Sequence, residues 1–151
     1  MAEHGFTIRR VFEASPERLW QEWTEPERFA DWFGGPEAEV PLETVTMDVR
    51  PGGLWGATMF FGPDRRAIRW KGEYLEVVAP ERLVLTFSDS PEDVYEVVTV
   101  VLNDLGSGRT EMLFEQRGPR QPEEYERTRD GWAVFFDLME ARLRAQDEEL
   151  T

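Results

Sequence analysis

The chain of 151 residues has no cysteine and one histidine. The first absence excludes a disulfide framework and any thiolate metal or redox site. The single histidine, His4, sits at what reads as a free N-terminus, which leaves no imidazole set for a metal and no Ser-His-Asp triad. No run approaches the ~18 apolar residues of a membrane span. The opening MAEHGFTIRR lacks the basic flank and apolar run of a signal peptide. Cations are scarce: 17 Lys and Arg stand against 31 Asp and Glu, a formal net charge of −14. Such a field repels phosphate backbones and anionic bilayers, so neither nucleic acid nor a membrane surface is an expected partner. No GxGxxG, P-loop or metal-ligand spacing appears, and Gly52-Gly53 reads as a turn. These absences leave a soluble, cytoplasmic, cofactor-free single domain over 1–151, long enough to hold a core without staples.

Aromatic side chains are plentiful: ten Phe, six Trp and three Tyr. Their periodicity orders the chain. Residues 6–13 alternate, with Phe6, Ile8 and Phe12 on one face and Arg10 among them. Ser15-Pro16-Glu17 is a helix start, and Leu19, Trp20 and Trp23 are its apolar side. Thr24-Glu25-Pro26-Glu27 repeats that grammar. Phe29, Trp32 and Phe33 then form a buried stripe that Gly34-Gly35-Pro36 ends. Alternating segments follow at 44–50, 54–61, 66–78, 82–88, 94–103 and 109–117, joined by short turns. The apolar parity slips inside 66–78, which predicts a bulge near Gly72 to Tyr74 that moves Leu75 and Val77 to the apolar side. Seven strands so connected form an antiparallel meander.

From about Pro122 to Gln146 the period becomes 3.6. Trp132, Phe135, Phe136, Met139 and Leu143 make one apolar face that must lie on the sheet. Gly131 within this helix costs about 1 kcal/mol relative to Ala, and close packing is its expected reason.

The order strand, two short helices, six strands, long helix is the helix-grip plan. The sequence also resembles one family within the START/Bet v 1-like (SRPBCC) superfamily, the homologues of the heat-shock-protein-90 ATPase activator. The residues that carry this are ASPERLWQEWTEPERFADWFG at 14–34, MDVRPGGLW at 47–55, KGEYLEVVAPERLVLTF at 71–87 and DGWAVFFDLMEARL at 130–143. The resemblance implies an α+β fold in which a curved seven-stranded antiparallel sheet grips the C-terminal helix. It implies three functions on that fold: a binder of an apolar small molecule (lipid, polyketide or aromatic compound), a co-chaperone-like domain with a chaperone partner, or a cofactor-free cyclase or hydrolase. It carries no shared catalytic set onto this chain.

Such a fold leaves a cleft between sheet and helix. Its expected walls are Trp32, Phe33, Trp55, Met59, Trp70, Tyr74, Phe87, Phe114, Trp132, Phe135, Phe136 and Met139. The Tyr74 hydroxyl and the indole N–H groups are the expected polar handles. The alternative is that the same side chains fill the gap as core. Arg10 points inward by parity and needs a partner, either an internal one such as Gln116 on the adjacent last strand or a ligand carboxylate. Glu73, Glu96 and Glu115 are assigned to the outer face, and Asp48 with Arg50 to surface contacts. Exposed strand edges make a homodimer a further expectation.

Overall fold

The computed structural model describes residues 3–89 and 94–150, with side chains described to residue 146. Strand β1 (His4–Phe12) leads into helices α1 (Pro16–Thr24) and α2 (Pro26–Trp32). Two short strands follow, β2 (Ala38–Glu39) and β3 (Thr46–Met47), then β4 (Leu54–Phe61), β5 (Arg66–Val78), β6 (Arg82–Phe87), β7 (Glu96–Gly106) and β8 (Arg109–Gly118). Helix α3 (Pro122–Leu150) closes the order. The eight-stranded antiparallel sheet runs β1-β8-β7-β6-β5-β4-β2, with β3 also on β4. First and last strands are neighbours, so Phe6 faces Gln116 and Arg10 faces Met112.

Local chemistry explains the elements and the departures from expectation. Ser15 caps α1, its hydroxyl accepting from Arg18 N at 3.3 Å. The second helix start shares the proline and the first-turn acid, Glu27, but not the cap. Its cap residue, Glu25, makes no side-chain cap, and Thr24 still belongs to α1, bonding back to the Trp20 carbonyl at 2.7 Å. The segment 44–50 is not a full strand. A 3₁₀ turn at Leu42–Thr44 and the tight loop to Gly53 leave only Thr46–Met47 paired, and β2 supplies the eighth strand. His4 is no free end: it opens β1 opposite Gly118. The bulge falls between Tyr74 and Glu76, one step later than expected, so Leu75 is turned out to solvent and only Val77 rejoins the apolar face.

The core lies between the sheet, α3 and the α1–α2 elbow. Trp23 is its hub: its ring meets Trp32 edge-on at 4.9 Å and stacks on Phe114 at 6.0 Å and Trp132 at 6.1 Å. Burial of each such ring is worth about 1.5–3 kcal/mol, and the aromatic pairing adds to that.

One charge sits inside this junction. Glu22 is fully buried, with Arg28 and Arg142 each 3.7 Å from its carboxylate. Neither carboxylate oxygen takes a hydrogen bond. Burial pushes the Glu22 carboxyl above its ordinary range, against the pull of Arg142 and Arg28. Arg10 likewise finds its partners on α3, at Asp137 (2.8 Å) and Glu140 (3.7 Å), and not at Gln116. The helix passes close enough to β1 to meet it first.

Gly131 corrects a further expectation. A Cβ built there meets no atom within 4 Å, so close packing is not why the glycine stands in α3.

Candidate functional site

A cleft of about 170 Å³ opens where α3 crosses the ends of β6, β7 and β8. Each wall has a sequence cause. Phe33 follows the last turn of α2, where Gly34 and Gly35 at positive φ turn the chain away. Trp70 comes from the inward parity of β5, and Phe87 from that of β6. Thr128, Gly131, Trp132 and Phe135 come from α3, at the spacing that keeps one helical face over the cleft. The rings form a continuous apolar wall. Trp132 meets Phe87 at 5.6 Å and Phe135 at 5.3 Å, while Phe33 lies 6.0 Å from each of Trp70, Phe87 and Phe135.

The other end is polar. Trp132 donates its indole N–H to Gln116 Oε1 at 2.9 Å. Gln116 Nε2 donates to Glu96 Oε1 at 3.0 Å, and the Tyr125 hydroxyl donates to the same oxygen at 2.7 Å. An indole only donates and a carboxylate only accepts, so this chain fixes the amide's orientation. The Tyr125 hydroxyl in turn accepts from Arg120 N at 3.2 Å. Burial, and then the bond to Glu96, push the Tyr125 phenol above its ordinary range. Glu96 is 4% exposed. Its second oxygen lies 2.6 Å from Arg120 Nε as an ion pair but receives no hydrogen bond. Asp89 and Glu124 stand 3.5 and 3.9 Å from the same guanidinium, and all of these except Glu124 and Tyr125 line the cleft with Ser88. Trp70 Nε1 is also buried and without a hydrogen-bond partner.

Glu96 corrects the outward assignment made from sequence. It shares its face with buried Val98, Val100 and Leu102. The apolar run VVTVV offers two readings of parity, and the other one fits the outer face equally well. Glu115 does face outward, where it pairs with Arg117 at 3.4 Å, and Asp48 meets Arg50 at 2.9 Å on the surface.

Of the expected wall residues, Phe33, Trp70, Phe87, Trp132 and Phe135 come together around the cleft. Trp32, Met59, Tyr74, Phe114, Phe136 and Met139 are packed into the core instead. Tyr74 is fully buried and does not reach the cleft. Burial, and secondarily the Asp48 charge, push its phenol up, and its hydroxyl has no hydrogen-bond partner. Trp55 is buried as well, and its indole donates to the Thr86 carbonyl at 2.9 Å over Gly72. A Cβ at Gly72 would sit against both groups, so only glycine permits that bond. Arg10 lies apart, on the β1–α3 seam.

Among the described residues, no group of three His, Cys, Asp or Glu is placed to hold a metal, and no helix is long and apolar enough to cross a membrane.

Comparison with known proteins places this geometry. The family model described as activator of Hsp90 ATPase homolog 1-like protein matches residues 13–144. The crystal structure of an AHSA1 protein from Silicibacter pomeroyi is 18% identical, with a TM-score of 0.83, covering 95% of this chain and 99% of that one. Protein CV1439 from Chromobacterium violaceum is 23% identical, with a TM-score of 0.81 over 91% and 95% of the two chains. A protein of unknown function from Staphylococcus aureus is 20% identical, with a TM-score of 0.78 over 97% of each chain. At these identities the likeness establishes the α+β helix-grip fold alone. Among curated proteins no match is found.

Proposed function

The chain belongs to the activator of Hsp90 ATPase homolog 1-like family, and we propose that it is a receptor for a small aromatic compound held between α3 and the ends of β6–β8. The observation that carries this reading is Gly131. A glycine in a helix interior costs about 1 kcal/mol relative to alanine. Here that cost brings no packing in return, since a Cβ would meet nothing, and the residue itself lies in the cleft wall. Space kept open at the expense of stability is what a binding site requires and a filled core does not.

Size narrows the ligand class. Cavities for drug-sized ligands run from about 300 to 1,000 Å³. The 170 Å³ of this cleft is closer to the roughly 150 Å³ that holds a benzene ring. A long acyl chain or a polyketide exceeds it, and a substituted single ring fits. Apolar walls would bury the ring, while Gln116 and Glu96 would orient a polar substituent.

The experiment is a titration of benzyl alcohol into the protein and into Gly131→Leu, followed by thermal unfolding. The wild-type melting temperature is expected to rise with ligand concentration. The variant, which adds a bulky side chain at the cleft wall, is expected to fold and to show no rise. Equal behaviour of the two proteins contradicts the reading.

A further inference from the structure

We propose that the ligand of this cleft is an arylalkylamine in its cationic form, and that Arg120 is an internal cation which the ligand's ammonium displaces from Glu96. This rests on the cleft reading above and adds the sign of the charge.

Three carboxylates, Glu96, Asp89 and Glu124, surround the single Arg120 guanidinium within 3.9 Å. An anionic ligand would find that guanidinium already engaged and would add a fourth negative charge beside it. A cation instead offsets an existing excess. Glu96 is built to receive it. Gln116 and Tyr125 hold one oxygen in place, and the other accepts no hydrogen bond although it is buried. That oxygen's present partner is the Arg120 guanidinium at 2.6 Å, and an ammonium N–H is a charge-assisted donor able to take its place.

Arg120 can yield that place. Its side chain is 42% exposed, and Asp89 and Glu124 already flank the guanidinium and would keep it company once it leaves Glu96. The aromatic wall of Trp70, Trp132, Phe87 and Phe135 would bury the ring, and its faces favour a cation near them. The net charge of −14 draws small cations toward the protein at low salt.

Three probes of one shape separate the outcomes: benzylamine, benzyl alcohol and benzoate, titrated calorimetrically at neutral pH and low salt. Benzylamine is expected to bind about tenfold tighter than benzyl alcohol, with benzoate weakest. Glu96→Gln is expected to erase the amine preference, bringing benzylamine down to the affinity of benzyl alcohol in the same variant, whereas Glu43→Gln, an exposed site outside the cleft lining, leaves the preference intact. Arg120→Ala is expected to strengthen benzylamine several-fold. This variant decides the matter even if Glu96→Gln does not fold, because an anion-binding cleft would instead lose benzoate on removal of Arg120. Tighter binding of benzoate than of benzyl alcohol, or weaker benzylamine binding in Arg120→Ala, overturns the proposal. Equal binding of all three overturns it and leaves the cleft reading standing. Binding of none overturns both.

Discussion

Trp132 on α3 and Gln116 on β8 are joined by a 2.9 Å hydrogen bond from indole to amide, and through Gln116 the helix is tied to buried Glu96. The bond links the helix to the sheet at the cleft. Gln116→Leu removes both links and leaves a buried indole N–H unpaired, with Glu96 Oε1 kept only by Tyr125. The expected loss is about 2–3 kcal/mol by urea unfolding, with the slope against denaturant unchanged. A loss below about 0.5 kcal/mol would show the relay to be incidental.

Gly131→Ala separates stability from binding. The new methyl meets no atom, so the helix is expected to gain up to about 1 kcal/mol. The same methyl is added at the cleft wall, so affinity for a small aromatic probe is expected to fall. Unfolding in urea and a binding titration on the one variant check both signs.

Neighbouring phenylalanines on α3 divide between core and cleft. Phe136 is fully buried against Trp23, Phe114 and Trp132, while Phe135 is half-buried at the cleft wall. Phe136→Ala is expected to cost about 3–5 kcal/mol, the figure for a large ring lost from a closed core. Phe135→Ala costs clearly less, because solvent already reaches that ring. Equal losses in the two variants would mean that the cleft behaves as core.

Glu22 makes stability rise on mild acidification. Its folded carboxyl titrates above the ordinary 4.5, chiefly through burial. In the interval between the two values the folded state holds more protons than the unfolded one, so stability increases as pH falls through it. The contribution is fully present below the unfolded value and lost as pH climbs past the folded one. Urea midpoints of wild type and Glu22→Gln, followed from about pH 7 to about pH 4, are expected to show the shallower slope in the variant. Parallel curves would place the proton uptake elsewhere among the 31 acids.

The strand order and the α3 stripe were legible because each rests on local periodicity. Phe6, Ile8 and Phe12 announce their strand, and Trp132, Phe136 and Met139 announce the buried face of the helix. The cleft's aromatic side was partly legible for the same reason. Which rings stay open to it and which close into core depends on the tilt of α3, which no spacing encodes, and on the bulge at Leu75, which the parity slip announces but places one step early. The polar end was hidden further. Glu96 lies beside a valine run with two valid parities. Its partners at Gln116, Arg120 and Tyr125 are brought up by the β7–β8 register and the turn into α3. One clue was present, since Gln116 already stood on the inward face of its strand. Arg10 shows the reverse case: its inward direction was readable, but its partners Asp137 and Glu140 depend on where the distant helix crosses β1.

Indole resonances give the most direct reading of whether the cleft takes a guest. Trp132 and Trp70 line it, whereas Trp23 and Trp32 belong to the closed core. On titration with benzyl alcohol, the Trp132 and Trp70 indole N–H signals are expected to shift and saturate while those of Trp23 and Trp32 stay fixed. If the Trp132 and Trp70 signals fail to saturate, or if all the indoles drift together, there is no bound guest between helix and sheet.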